Sequence, residues 1–114
     1  MSEEANKIAD KFSGLRKGLL EFAVLKIVAA HKVYAAEILE HLDRTDLQTG
    51  EGTLYPLLSR LRRDKMVEYE WVESEAGPPR KYYALTAAGQ AQLRDFESYW
   101  QHLHQTMNTL GVTQ

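Results

Sequence analysis

The sequence contains no cysteine, so disulfides, thiolate metal sites and cysteine nucleophiles are excluded from the start. Long hydrophobic runs are missing as well. The stretch from Leu19 to Ala30 is interrupted by Glu21 and Lys26 and is too short to cross a bilayer. Met1 to Phe12 carries Glu3, Glu4 and Asp10 where a secretory signal would be basic. A cytoplasmic protein with no membrane partner is therefore expected. There is no phosphate-binding glycine loop, and no excess of positive charge, the net charge being −2. Any contact with nucleic acid must then come from local placement of charge, not from a global field. What is present, 114 residues of which 44% are hydrophobic, suffices for one compact domain with a real core.

The most informative stretch runs from Gly50 to Asp64. Leu54, Leu57, Leu58 and Leu61 fall at i, i+3, i+4 and i+7, one apolar stripe of a helix that must dock on something. On the opposite side lie Gly52, Pro56, Ser59 and Arg63, with Tyr55 and Arg62 on one shoulder and Thr53 and Arg60 on the other. This outer face holds no carboxylate. Its small residues let a backbone come close, its hydroxyls bond phosphates or base edges, and its guanidinium groups fit phosphate or guanine in forked pairs. Taken alone the stretch is equally compatible with an ordinary amphipathic surface helix. Pro56 in its interior predicts a kink, and Lys65 stands where a glycine helix stop is usual.

The flanking chain gives this helix its context. Met1 to Phe12 is polar, with Ile8 and Phe12 as anchors, and is compatible with either a frayed helix or an arm. From Leu15 to Val28 the pattern is apolar over most of a helical circumference, which predicts burial on more than one side. Val33-Tyr34 is expected to open a second helix through Ala35, Ile38, Leu39 and Leu42, and Asp43 to Glu51 is polar, with Thr49-Gly50 as turn and N-cap. That order predicts a helix-turn-helix unit. Val67 to Glu73 then alternates apolar and charged residues, a half-buried strand with Val67, Tyr69 and Trp71 inward. Ser74 to Pro79 is turn chemistry, too long for a two-residue turn, and Arg80 to Leu85 is the returning strand.

A helix-turn-helix with a hairpin carrying Arg80 and Lys81 predicts a mostly α, α+β fold: a winged helix-turn-helix over residues 1–86 and a last helix over 87–114. Such a fold places the central helix in the major groove of double-stranded DNA and the wing on the adjacent backbone. Gly52, Thr53, Tyr55 and Ser59 are the expected groove residues, while Arg60, Arg63, Arg80 and Lys81 are expected on phosphates. Between Arg44 and Lys81 basic and acidic residues are equal in number, so Glu68, Glu70, Glu73 and Glu75 must point away from the duplex. A winged-helix adaptor whose central helix meets another protein is the competing reading.

Thr86 is the expected N-cap of the last helix. Leu93, Phe96, Trp100, Leu103, Met107 and Leu110 recur at alternating intervals of three and four, a heptad seam. The seam is expected to fold partly onto the helix from Leu15 and partly against a second copy, giving a homodimer. A twofold axis through it would bring two copies of Trp100 together, either stacked or standing apart as the walls of a slot for a flat ligand. Tyr99 beside it reads as packing or as part of such a slot.

Catalysis finds little support, and neither a catalytic set, a metal site nor a cofactor is expected. His102 and His104 are two apart on a helix and diverge by about 200°. Glu37 and His41, at i and i+4, are the ordinary pattern of a solvated surface pair. Ser59 and Ser74 have no base suggested by spacing.

Two strings, Gly-Thr-Leu-Tyr-Pro-Leu-Leu-Ser-Arg-Leu at 52 to 61 and Arg-Lys-Tyr-Tyr-Ala-Leu-Thr-Ala-Ala-Gly at 80 to 89, resemble the PadR family of bacterial transcriptional regulators, and the resemblance runs from Leu15 to Leu110. With one helix after the wing, the chain is similar to the small branch of that family. The resemblance implies a dimeric repressor on a pseudo-palindromic operator, released by a small molecule. In some small members that molecule is a flat aromatic compound held between the two last helices. Trp100 lines up with the tryptophan that stacks on it, and Phe96 and Tyr99 are its neighbours. The chain departs from the family pattern at Arg62, where an acid is frequent, at Lys65, where glycine is usual, and at Ala35-Ala36, where Gly-Tyr is common.

Overall fold

The computed structural model describes residues 3–112, so the outermost residues of the two expected units, 1–2 and 113–114, lie outside the described residues. The elements are α1 (Glu3–Lys11), α2 (Ser13–Ala30), α3 (Ala35–Leu42), α4 (Glu51–Arg63), β1 (Val67–Ser74), β2 (Gly77–Leu85) and α5 (Ala87–Thr109). This is the expected winged helix-turn-helix followed by one long helix. The polar start of the chain is helical, and α1 leads into α2 through Phe12, whose N–H donates to the Ile8 carbonyl at 3.2 Å. None of the helices is long and apolar enough to cross a membrane among the described residues.

The apolar circumference of α2 explains its position. Leu20, Phe22, Val24, Leu25 and Val28 are all buried, and the helix meets α3, β2 and α5 on its different sides. Around it the core is closed by Val33, Ile38, Leu42, Leu54, Leu58, Leu61, Val67 and Tyr83. The stripe read in the sequence is thus the buried side of α4, with Leu57 half-buried. The helix is unbroken through Pro56.

Three expectations need correction. Val33 does not open α3, which starts at Ala35 after the N-cap Tyr34. Instead Val33 pairs with Tyr83, exchanging backbone hydrogen bonds of 2.7 and 3.2 Å, and so ties the helix-turn-helix to the hairpin. The wing tip is short: Ser74 pairs with Gly77, leaving only Glu75 and Ala76 to turn, with an irregularity between Val72 and Ser74. Pro79 fits in β2 because its nitrogen, like that of Tyr83, faces the outer edge, where no N–H is needed, and Pro78 falls where the pairing with β1 is irregular. Trp71 does not point into the core. Its face begins buried at Val67 and half-buried at Tyr69, but by Trp71 the hairpin has passed the last helix able to cover it, and the indole is 62% exposed.

The helix ends are closely specified. At the exit of α4 the Met66 N–H donates to the Leu61 carbonyl at 2.9 Å and the Lys65 N–H to the Arg62 carbonyl at 3.0 Å, a Schellman closure that puts Lys65 in the left-handed region at φ 63°. The departure from glycine is therefore a strained residue. Lys65→Gly should raise stability by about 0.5–1 kcal/mol, the relief of the left-handed backbone being partly offset by greater freedom in the unfolded chain. Urea unfolding measures it, and an unchanged or lower midpoint would contradict the strain. At the start of α5 the Thr86 hydroxyl accepts from the Gly89 N–H at 3.0 Å and donates to the Lys65 carbonyl at 2.6 Å. One cap thereby joins the exit of α4 to the entry of α5.

Candidate nucleic-acid interface

Docking the leucine stripe of α4 leaves Gly52, Thr53, Tyr55, Ser59, Arg60, Arg62 and Arg63 exposed. The two shoulders read in the sequence face different neighbours. On one side Tyr55 and Ser59 line an open cleft of about 480 Å³ against the hairpin, whose floor and far wall include Tyr83, Arg80 and Lys81. On the other side Thr53 and Arg60 face α2: Thr53 lines a shallow recess with Arg16 and Lys17, and the Arg60 guanidinium lies 3.1 Å from Glu21 and 3.8 Å from Asp64. Gly52 and Arg63 lie between these shoulders, and among the described residues no carboxylate pairs with Arg63. The three arginines at the end of α4 also complement the helix dipole.

The wing's cations are held by aromatic rings. The Lys81 ammonium lies 4.6 Å from the centre of Tyr69 and 5.3 Å from that of Trp71, and the Arg80 guanidinium lies 4.6 Å from the centre of Tyr34. Arg62 reaches the other partner of the wing, 4.6 Å from the Tyr69 ring. The strand's alternation separates Lys81 from two of the acids in this region. Glu68 and Glu70 share the opposite face with Tyr82 and with Arg80, whose guanidinium turns to Tyr34, and Glu70 is taken by Lys32 at 2.8 Å. Beside that carboxylate the Lys32 ammonium is held above its usual range. Glu73 and Glu75 lie at the tip, where the regular alternation has ended. Burial pushes the Tyr83 phenol up from its ordinary value.

The turn between α3 and α4 is fixed from α2. Arg16 Nε donates to the Asp46 carbonyl at 2.7 Å and a terminal nitrogen of the same side chain to the Gln48 carbonyl at 3.4 Å, while the Thr45 hydroxyl donates to the Leu42 carbonyl at 2.6 Å. Spacing gave no sign of the Arg16 clamp, because its partners are backbone carbonyls thirty residues away in sequence. Trp71 also escapes the sequence reading as a surface residue, since alternation places it inward with Val67 and Tyr69, and Tyr34, half-buried beside the cleft, reads only as the start of a helix.

The seam of α5 divides. Leu93 packs against the core and Phe96 stacks on Phe22, centroids 4.8 Å apart and planes 19° from parallel; Lys26 and Glu97 add an exposed pair at 3.4 Å. Beyond them Tyr99, Trp100, Leu103, Met107 and Leu110 remain exposed. Phe96, Trp100 and Leu103 line an apolar groove of about 230 Å³ whose other wall is α2 at Gly14, Leu15 and Gly18.

Residues 24–95 match the model of the transcriptional regulator PadR-like family. The fold is similar to a PadR-like transcription factor from Bacteroides fragilis, 43% identical over 90% of this chain and 99% of that one, with a TM-score of 0.77. It is similar also to a PadR-like transcriptional regulator from Bacillus cereus, 34% identical over 86% and 96% with a TM-score of 0.74. A PadR family transcriptional regulator from Eggerthella lenta is 28% identical, over 96% of both chains, with a TM-score of 0.82.

Proposed function

This chain belongs to the PadR-like family of transcriptional regulators, and we propose that it is a sequence-specific DNA-binding repressor, dimeric and ligand-responsive. It acts on a pseudo-palindromic operator in the cytoplasm and carries out no reaction of its own. The observation that carries this reading is the exposed face of α4, which has Glu51 at its entry and Arg60, Arg62 and Arg63 in its last turn and borders a cleft walled by Arg80 and Lys81. Gly52, Thr53, Tyr55 and Ser59 are the residues for the major groove, while Arg63, Arg80 and Lys81 hold phosphates. Arg60 joins them by exchanging Glu21 for a phosphate, an exchange that costs little because the pair is partly solvated. The exposed part of the seam pairs two copies, and Phe96, Tyr99 and Trp100 receive a planar aromatic effector between them.

A mobility shift on the DNA upstream of the protein's own gene, with and without planar aromatic compounds, tests the reading. The affinity should fall steeply with salt, with a log-log slope of about 0.9 per phosphate contact, and Lys81→Ala should make that slope shallower by about one unit for all sequences alike. A salt-independent association would favour an adaptor that meets protein through the same face. A Lys81→Ala variant with altered base preference would mean that the wing reads sequence.

A further inference from the structure

Trp71 is a large apolar surface left without a partner, yet it is not loose. Its ring meets Tyr69 edge-on, centroids 6.2 Å apart and planes at 90°, and the Lys81 ammonium lies on it from the facing strand. It borders the same cleft as Tyr55 and Ser59 of α4. Among the described residues no carboxylate lines that cleft; apart from two alanines and Ser59 its walls are Tyr34, Tyr55, Trp71 and Tyr83 with Arg80 and Lys81.

The cations and rings come in pairs, Arg80 with Tyr34 and Lys81 with Trp71. Each pair offers a positive charge beside an apolar plane. The complementary ligand alternates anionic and apolar units, which is the chemistry of a phosphate and deoxyribose chain. In a duplex the base faces are stacked and paired, so a ring coming from the rim of the groove meets the C–H edge of a sugar instead of a base. The cleft opens onto the outer face of α4, so a strand lying in it would pass beside the residues proposed for the major groove.

We propose that this cleft grips the backbone of one DNA strand, with Trp71 packed on a deoxyribose and Arg80 and Lys81 on the phosphates flanking it. This rests on the DNA-binding reading above and adds to it an apolar, sequence-independent contact on the wing. Because an indole releases no counterions, its removal has a signature different from that of a lysine: affinity drops while the salt slope stays.

The test uses the full chain with a duplex from its own upstream region and an unrelated duplex of the same length. Trp71→Ala should bind both about tenfold more weakly with an unchanged salt slope, and Trp71→Phe should recover most of the loss. In a Trp100→Phe background, where Trp71 is the sole indole, its emission should be quenched and shifted to shorter wavelength as either duplex is added. The fluorescence arm needs no truncated wing and stays decisive if Trp71→Ala folds poorly. An indole that keeps its solvent-exposed spectrum in a complex whose formation the mobility shift demonstrates would overturn the contact while leaving the DNA-binding reading intact. So would a well-folded Trp71→Ala with parental affinity, or emission that shifts with protein concentration in the absence of DNA. A parent chain that shifts neither duplex would overturn both.

Discussion

Gly89→Ala is expected to lower the thermal midpoint by roughly 10–20 °C, from a loss of about 3 kcal/mol. Gly89 is buried in the first turn of α5, and a Cβ built on it collides with the carbonyl oxygen of Met66 and approaches Leu85 within 3.2 Å. The obstacle is backbone, not the end of a flexible side chain, so α5 itself has to move. Moving it breaks the Thr86 cap, whose hydroxyl bonds both the Gly89 N–H and the Lys65 carbonyl, and a lost cap alone costs about 1 kcal/mol. For a domain with the usual 5–15 kcal/mol of stability such a loss is large. Thermal unfolding followed by circular dichroism measures it, and a midpoint within about 2 °C of the parent would contradict the packing described at this junction.

Leu103→Glu combined with Met107→Glu should convert a sedimenting dimer to monomers, weakening association by about a thousandfold or more, since each carboxylate placed in a desolvated seam costs several kcal/mol. The motive is what α5 leaves uncovered. Leu93 and Phe96 are occupied within their own chain, whereas Met107 and Leu110 are 68% and 64% exposed and Trp100 and Leu103 line an apolar groove. Exposed apolar side chains clustered along one helix are the mark of a surface that meets a partner. Because none of these residues belongs to the buried core, the monomeric variant should keep its melting cooperativity. A parent protein that sediments as a monomer at micromolar concentration would end the idea.

Periodicity revealed what periodicity encodes. Leu54, Leu58 and Leu61 are buried as their spacing predicts, Val67 anchors the first strand, and Thr86 caps the last helix. The misses have a common cause, since alternation names the face of a strand but not how far the sheet extends beneath cover. Val67 and Trp71 share a face; only the first is over the core. The same limit hid Val33, whose β-branched side chain reads as the start of a helix until Tyr83 is brought opposite it. For the candidate interface, the exposed side of α4 with its basic last turn was legible because one helix determines it, although Glu51 and Asp64 also lie exposed at the two ends of that helix. The engagement of Arg60 by Glu21 and of Lys81 by two aromatic rings was not, because each joins elements that only the fold brings together.

A sheet of two strands has two outer edges, and here neither invites a third strand. The edge of β2 is occupied near its base by the bridge to Val33 and lacks an amide hydrogen further out at Pro79, which is unable to donate to a neighbour. Along β1 lie Glu68 and Glu73, beside the Lys32-paired Glu70, so a second copy laid alongside would bring like charges together. At high concentration, wings of this kind are thereby built to resist zipping into one another by strand addition.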